Sequence, residues 1–502
     1  MTDDRQRLYL KHLGIDTYKE PIIYIHEESP VCRAEGFESQ GRILISYKDK
    51  TLIATLNKIT GSLLGVHEVG LSKFAWSVLN AVEGESIEVK HPPPVSSLSQ
   101  VRSKIYGNKL SAASINEIIR DIISFRYSDI EIASFVTACA GNRLSEKEIA
   151  DLTQAMADAG ERVTWPGSLI VDKHCVGGLP GNRTTPIIVS IVAAFGLTMP
   201  KTSSRAITSP AGTADAMEVL APVELDVLSM RRVVEQEKGC IIWGGAVALS
   251  PADDLLIRIE KILDLDSEGQ LVASILSKKI ASGSTHVLID IPVGPTAKVR
   301  SIAVAEKLSA YLEKIGKQFG LTVVSHISDG TQPVGRGIGP ALEARDFVSV
   351  LQNKEDAPQD LRKHALDLAG KILEFSPDVS KGDGLMIAQR ILDSGEAWKK
   401  FQAICQAQGG MREIPSAQYI HIVKAEHSGT VEEINNRCIA RVAKLAGAPT
   451  DKAAGVDLYV CLSATVEKGQ PLFAIHAESP GELNYALSYL QDKHEVVQIR
   501  ER

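Results

Sequence analysis

The rhythm of apolar and polar positions changes three times along the chain. From about residue 20 to 90, short runs such as RILISY, TLIATLN and SIEVKH alternate with polar or glycine-containing turns. That pattern predicts a small β-rich unit. The cluster HPPPVSSLSQ that follows removes backbone donors and favours extended geometry, so it predicts a linker. In SINEIIRDIISFRYSD, Ile115, Ile118, Ile119, Ile122 and Ile123 recur at helical spacing, with Ser114 as the expected N-cap and Glu117 completing a capping box. SDIEIASFVTACAG and SEKEIADLTQAMADAG repeat the pattern, each opening on Ser and closing on Gly.

From Ser168 the pattern changes again. The runs SLIVD, GCIIWGG, THVLIDIP and LTVVSHIS alternate with helical stretches such as TPIIVSIVAAFG and VRSIAVAEKLSAYLEKIG. This predicts βαβ units around a mostly parallel sheet, whose ligands sit at loops beyond the strand ends. Near the C-terminus, YIHIVKAE, DLYVCLSA and PLFAIHA surround the helical EINNRCIARVAKLAG, which predicts an α+β domain. The expected organisation is an α/β protein. A β-rich extension occupies 1–95, a helical subdomain 100–165 and 250–282, a mixed, mostly parallel α/β domain 166–249 and 283–412, and an α+β domain 413–502.

Composition narrows the partners. With 502 residues, 44% of them hydrophobic, the chain can bury substantial cores. The net charge of -7 and the lack of a long basic block argue against nucleic acid. No apolar leader or membrane-length segment is seen, so a cytoplasmic protein without a membrane partner is expected. Seven cysteines without a C-x-x-C pair argue against a disulfide framework and a zinc site.

Chemistry concentrates in three segments. In DKHCVGGLPGNRTTP, Asp172 ends a strand-like run, and a helix is expected to begin near Thr184 or Thr185. Bare glycine backbone, Lys173 and Arg183 ahead of a helix suit an anion, and phosphate is the leading candidate. A turn that glycine merely shapes is the alternative. KTSSRAITSPAGTADAME adds hydroxyls and the cations Lys201 and Arg205, and no acidic side chain lies between Lys173 and Arg205. A local positive field is therefore expected. SDGTQPVGRGIGPALEARD is a third glycine-rich loop that could close over the same cleft, or simply connect sheet to helix.

Together, DKHCVGG, TSSRAITSPAGTADAMEVL, ASILSKKIASG and DGTQPVGRGIGPALEARD resemble the thymidine and pyrimidine-nucleoside phosphorylase family. The likeness is closest to its longer type 2 branch, which includes AMP phosphorylases. It implies the fold shared by nucleoside phosphorylases and phosphoribosyltransferases, no metal or organic cofactor, and a homodimer or larger homo-oligomer. The implied reaction is phosphorolysis, with inorganic phosphate and a nucleoside or nucleoside monophosphate as substrates.

The resemblance also implies site residues. Phosphate would meet Lys173, Cys175, Gly177, Gly178 and Thr213, with Cys175 replacing a usual Ser. His174 would lie near base and sugar, and Asp266 matches the proton donor of AMP phosphorylases. Ser204, Arg205, Ala206, Ile207, Thr208, Ser209, Ser274 and Lys298 would contact substrate, and Lys278 matches a base-binding Lys. One departure stands out: where pyrimidine enzymes place a base-reading Arg, fifteen residues before the Ser at 274, this chain has Ile259. Arg258 is one helical step away, rotated by about 100°.

Three readings follow: a thymidine-type phosphorylase, an AMP or nucleoside 5'-monophosphate phosphorylase, and an anthranilate-type phosphoribosyltransferase. A carrier module is disfavoured, because the hairpin-like GVDLYVCLSATVEKGQPLFAIHA lacks a modifiable Lys in a carrier setting.

Overall fold

The computed structural model describes residues 7–206, 209–265, 267–492 and 496–501. They form two compact units, the first from residues up to Ala159 with Ala252–Gln270, the second from Gly160–Pro251 with the chain from Leu271 onward.

The first unit begins with a closed six-stranded barrel. Its strands are β1 (Leu8–His12), β2 (Ile22–His26), β3 (Arg42–Tyr47), β4 (Lys50–Ile59), β5 (Glu68–Leu71) and β6 (Ser86–Lys90), arranged β1-β5-β2-β4-β3-β6. Two short helices, α1 (Pro30–Ala34) and α2 (Lys73–Leu79), complete it. In β3 every second side chain points inward, burying Ile43, Ile45 and Tyr47, as a half-buried strand requires. Closing the sheet leaves no free edge.

Four helices follow: α3 (Leu98–Ile105), α4 (Ala112–Ile123), α5 (Asp129–Cys139) and α6 (Glu146–Asp158). Ile115, Ile118, Ile119 and Ile122 of α4 are buried and Ile123 is half-buried, but its N-cap is Ser111, not Ser114. Ser111 Oγ accepts from the Ser114 amide, and Glu117 instead accepts from Ser96 Oγ. Ser128 and Ser145 form full capping boxes with Glu131 and Glu148. Arg42 ties the barrel to this bundle, donating to the carbonyls of Phe125 at 2.6 Å and Tyr127 at 3.3 Å.

In the second unit, β7 (Val171–Cys175), α7 (Thr185–Phe195), β8 (Met199–Ser203), α8 (Thr213–Glu218), α9 (Val227–Glu237) and β9 (Gly239–Trp243) come first. The chain then passes through α10 (Pro251–Leu263) of the first unit. Helix α11 (Glu268–Ala281) straddles the division, so Ser274, Lys278 and Lys279 belong to the second unit rather than wholly to a helical subdomain. Lys279 is bound there by a 2.6 Å ion pair with Asp172 on β7.

Strands β10 (His286–Val293) and β11 (Thr322–Asp329), joined by α12 (Ile302–Gln318), extend the sheet. The order β11-β10-β7 is parallel throughout, and β8-β9 is a second parallel pair linked to it by the Ile170–Thr198 bridge. Both faces of a parallel sheet need cover. Helix α7 is buried along its length and packs in one core with residues of α13 (Pro340–Leu351), α14 (Gln359–Leu373), α15 (Gly384–Asp393) and α16 (Glu396–Gln408). The short β12 (Gly337–Ile338) leaves the third glycine-rich loop to join the C-terminal sheet.

That sheet, ordered β12-β15-β17-β13, uses β13 (Tyr419–Lys424), β15 (Gly455–Leu458) and β17 (Pro471–Ala477). A second sheet, β16-β14-β18, uses β14 (Gly429–Ile434), β16 (Thr465–Val466) and β18 (Val497–Glu501), with α17 (Asn436–Leu445) and α18 (Pro480–Asp492) alongside. Asn436 Nδ2 donates to Thr296 Oγ1 and to the Gly330 carbonyl, both at 3.0 Å, bracing two loops at the end of the parallel sheet.

No described helix is long and apolar enough to cross a membrane.

Candidate active site

Asp172 does not end its strand. Pairing continues through His174 with Ile289 and Cys175 with Asp290, so the DKHC segment is itself sheet, and Asp172 and Lys173 are buried in it. An ionic strand survives inside a core only if its charges are matched. Asp172 receives Lys279 Nζ at 2.6 Å, Lys201 Nζ at 3.5 Å and the Lys173 amide at 2.7 Å. Lys173 Nζ donates to Thr184 Oγ1 at 3.1 Å and lies 3.8 Å from Asp290. Asp290 also accepts from Ser328 Oγ at 2.6 Å and meets His364 Nε2 at 3.3 Å.

These neighbours set the protonation states. Burial works against both carboxylates, yet Lys201 and Lys279 hold Asp172 below its ordinary value, and His364 and Lys173 hold Asp290 far below. Burial lowers Lys201 to about 7. Burial, then the ammonium groups of Lys279, Lys278, Lys201 and Lys173, pulls His174 well below the usual imidazole value. His174 is therefore a neutral ring at neutral pH, suited to hydrogen bonding and, with its basicity lowered, unsuited to holding a proton. Burial and the Asp290 charge push Cys175 up to about 12, so it is a thiol, with Asn182 Nδ2 donating to Sγ at 3.5 Å. The positive field inferred from the missing acidic residues is thus largely balanced by Asp172 and Asp290, which fold in from outside that stretch.

The loops assemble around this strand end. Gly177 and Gly178 have φ of +93° and +82°, which glycine adopts without strain. A Cβ on Gly178 would lie 2.4 Å from the Lys298 amide nitrogen, so glycine lets Lys298 approach. The third loop packs on the first: the Asn182 amide donates to the Val334 carbonyl at 2.8 Å. The expected helix starts at Thr185 with Thr184 as N-cap.

In the second loop, Asp215 accepts from the amides of Ala206 at 2.6 Å and Gly212 at 2.9 Å. Arg205 bonds Asp215, Glu218 and Glu224 and stacks over Trp243, so its charge is already balanced and it braces the loop instead of facing an anion alone. Ser204 is exposed, Ser209 Oγ donates to the Ala211 carbonyl at 2.8 Å, and the neighbouring Ser203 Oγ is buried without a hydrogen-bond partner. Ile207 and Thr208 lie outside the described residues. Arg183 is held by Glu343, Thr213 and the Ala211 carbonyl. On α11, Lys278 Nζ donates to Ser274 Oγ at 3.0 Å.

Within the first unit, Ile259 is buried and Arg258 is bound to Asp129 through both terminal nitrogens. Arg258 is therefore a structural ion pair. Asp266 lies outside the described residues. Among the described residues, no three His, Cys, Asp or Glu side chains gather into a metal-binding group.

Sequence reasoning missed Asp290 and Lys279. A signal existed for Asp290: it is the one charged residue in the apolar run of β10, where a strand buried on both faces reads as continuously hydrophobic. Lys279 carried none, since a Lys pair on a helix reads as a solvated face.

Comparison with known proteins gives the family and the fold. Residues 99–160 match the family described as "Glycosyl transferase family, helical bundle domain" and residues 167–398 its a/b domain. Residues 430–496 match "Pyrimidine nucleoside phosphorylase C-terminal domain". A protein of Legionella pneumophila (strain Corby) named "Putative thymidine phosphorylase" is 59% identical over 98% of this chain and 96% of its own length. One of the same name from Polaromonas sp. is 57% identical over 99% and 97%. Among solved structures, anthranilate phosphoribosyltransferase from Saccharomyces cerevisiae is similar in fold, with a TM-score of 0.51 and 15% identity, covering 63% of this chain and 98% of that one.

Proposed function

The chain belongs to the thymidine and pyrimidine-nucleoside phosphorylase family of pentosyltransferases, and from that premise we propose that it cleaves thymidine or a related nucleoside with inorganic phosphate. The observation that carries the reading is Lys173, a buried cationic side chain in the middle of parallel strand β7, two residues before the strand gives way to the glycine loop. Phosphate held there attacks C1', the C1'–N bond breaks, and base and (deoxy)ribose 1-phosphate leave. An oxocarbenium-like transition state gains from the charge of the approaching anion, so catalysis depends on holding phosphate on the correct face. Glycine backbone at 177 and 178, Thr213 and Lys173 supply that hold. Neutral His174 is the proposed hydrogen-bonding partner of the substrate, and Asp266 is the proposed proton donor to the leaving base. The proposed enzyme is cytoplasmic, homo-oligomeric and needs no cofactor.

A second reading has its own support. Ile259 is buried and Arg258 is committed to Asp129, so neither offers the base-reading guanidinium of pyrimidine enzymes. A nucleoside 5'-monophosphate, giving ribose 1,5-bisphosphate, fits that difference, with Lys298 beside Gly178 for the 5'-phosphate.

The test is to incubate the protein with thymidine, uridine, AMP and CMP, with and without phosphate, and to separate the released bases. Phosphate-dependent thymine supports the nucleoside reading; release from AMP or CMP alone replaces it with the nucleotide one. Activity that needs diphosphate and is lost with a chelator would indicate a phosphoribosyltransferase. Lys173→Ala should abolish protection from heat unfolding by millimolar phosphate, because only the native state binds the ligand. Asp266→Asn should lower turnover and keep that protection.

A further inference from the structure

We propose that Arg183 is a positioning residue that turns the Thr213 hydroxyl into a fixed donor toward the phosphate substrate, an inference that rests on Thr213 being a phosphate contact. Arg183 Nη1 donates to Thr213 Oγ1 at 2.7 Å, Nη2 to the Ala211 carbonyl at 2.9 Å, and Nε to Glu343 Oε2 at 2.7 Å. Glu343, on the first turn of α13, is 1% exposed, and its other oxygen accepts from the Gly339 amide at 3.2 Å. One guanidinium therefore joins the three glycine-bearing segments: its own, the second loop at 211 and 213, and the end of the third.

The direction of these bonds matters more than their number. A guanidinium has donors only, whereas a threonine hydroxyl has one donor and two acceptor sites. Once Arg183 donates into Oγ1, the hydroxyl proton must point to a different acceptor. A phosphate dianion offers acceptors on every side, so the pair presets Thr213 to donate, and no rotor has to be frozen when the anion arrives. Asp215 fixes the same loop from behind through the Gly212 amide, which keeps Thr213 at that bond.

Lysine can keep a cation beside Glu343 but cannot make three diverging bonds in one plane. The test compares Arg183→Lys, Thr213→Val and the double variant in the full-length enzyme, reading the KM for phosphate, the KM for nucleoside, and kcat. Arg183→Lys is expected to raise the phosphate KM about tenfold, as for one lost hydrogen bond to a charged group, with the nucleoside KM within about twofold. In the Thr213→Val background it should add nothing further to the phosphate KM. A brace without this role would raise both KM values together or act independently of Thr213, and either result overturns the proposal. A wild-type phosphate KM in Thr213→Val alone would instead remove Thr213 from the phosphate site. If Arg183→Lys does not fold, the Arg183→Gln/Glu343→Gln pair, which replaces the ion pair with two amides, is read in the same way.

Discussion

The barrel of the first unit and the strand ends of the parallel sheet bury their interiors by opposite means. Inside the barrel the core is Leu8, Leu10, Ile23, Ile25, Ile43, Ile45, Leu56, Val69 and their neighbours, and the buried polar side chains of that region, Ser29, Thr55 and Ser72, carry no charge. In the parallel strands and the adjoining helix α11, Asp172, Lys173, Lys201, Lys279 and Asp290 are all buried. Apolar burial is non-directional and tolerates small losses. A buried ionic cluster holds only while each charge has its partner.

The largest break in that contrast should come from Asp172→Ala. It leaves Lys201 and Lys279 without their shared carboxylate in a dry interior, and the expected loss is about 3–5 kcal/mol, as for a buried pair with one partner removed. Urea unfolding of the second unit would measure it. Adding Lys279→Met should recover much of the stability, because an apolar replacement removes the stranded charge. Recovery with normal phosphate binding would show that the site does not need this pair; recovery without binding would tie the charges to the ligand.

The same contrast explains what could be read from sequence. Strands β3, β4 and β6 of the barrel and the helices α5 and α6 were legible because alternation, helical spacing and Ser caps are local signals, whereas β1, β2 and β5 were not singled out. Ser114 was mistaken for a cap because Ser111, one turn earlier, satisfies the same amide pattern. The glycine loops were legible as places of close backbone approach, as Gly178 against Lys298 shows. What could not be read was the balancing of charge: Asp290 comes from a strand far along the chain, and Arg205 and Arg183 looked like free cations until folding delivered Glu218, Glu224 and Glu343 to them. Sequence spacing carries no record of partners brought together across a sheet.

A smaller effect separates the two regions by pH. The native value of Lys201, about 7, lies below its ordinary 10.5, so between these values the unfolded chain binds more protons than the folded one. Its contribution to stability therefore rises with pH from about 7 to 10.5, and the full penalty is present below 7. Glu343, raised by burial from 4.5 to about 7, works in the other direction, and its contribution falls as pH rises through that window. Lys201→Met should flatten the rise above pH 7 in chemical unfolding of the second unit. Curves that stay parallel from pH 7 to 10 would mean that Lys201 keeps its proton through the neighbouring carboxylate.

The smallest expected effect comes from the barrel. Ile25 is wholly buried on β2, opposite Val69 on β5, and Ile25→Val removes one methylene from an apolar contact. About 1 kcal/mol should be lost, because the transfer term is small and neighbouring side chains can partly close the gap. Hydrogen exchange should quicken in the barrel amides, while kcat and the KM for phosphate stay at wild-type values. A matching change in those kinetic constants would mean that the barrel core is coupled to the ionic strand ends, and that the two interiors are not the independent solutions their chemistry suggests.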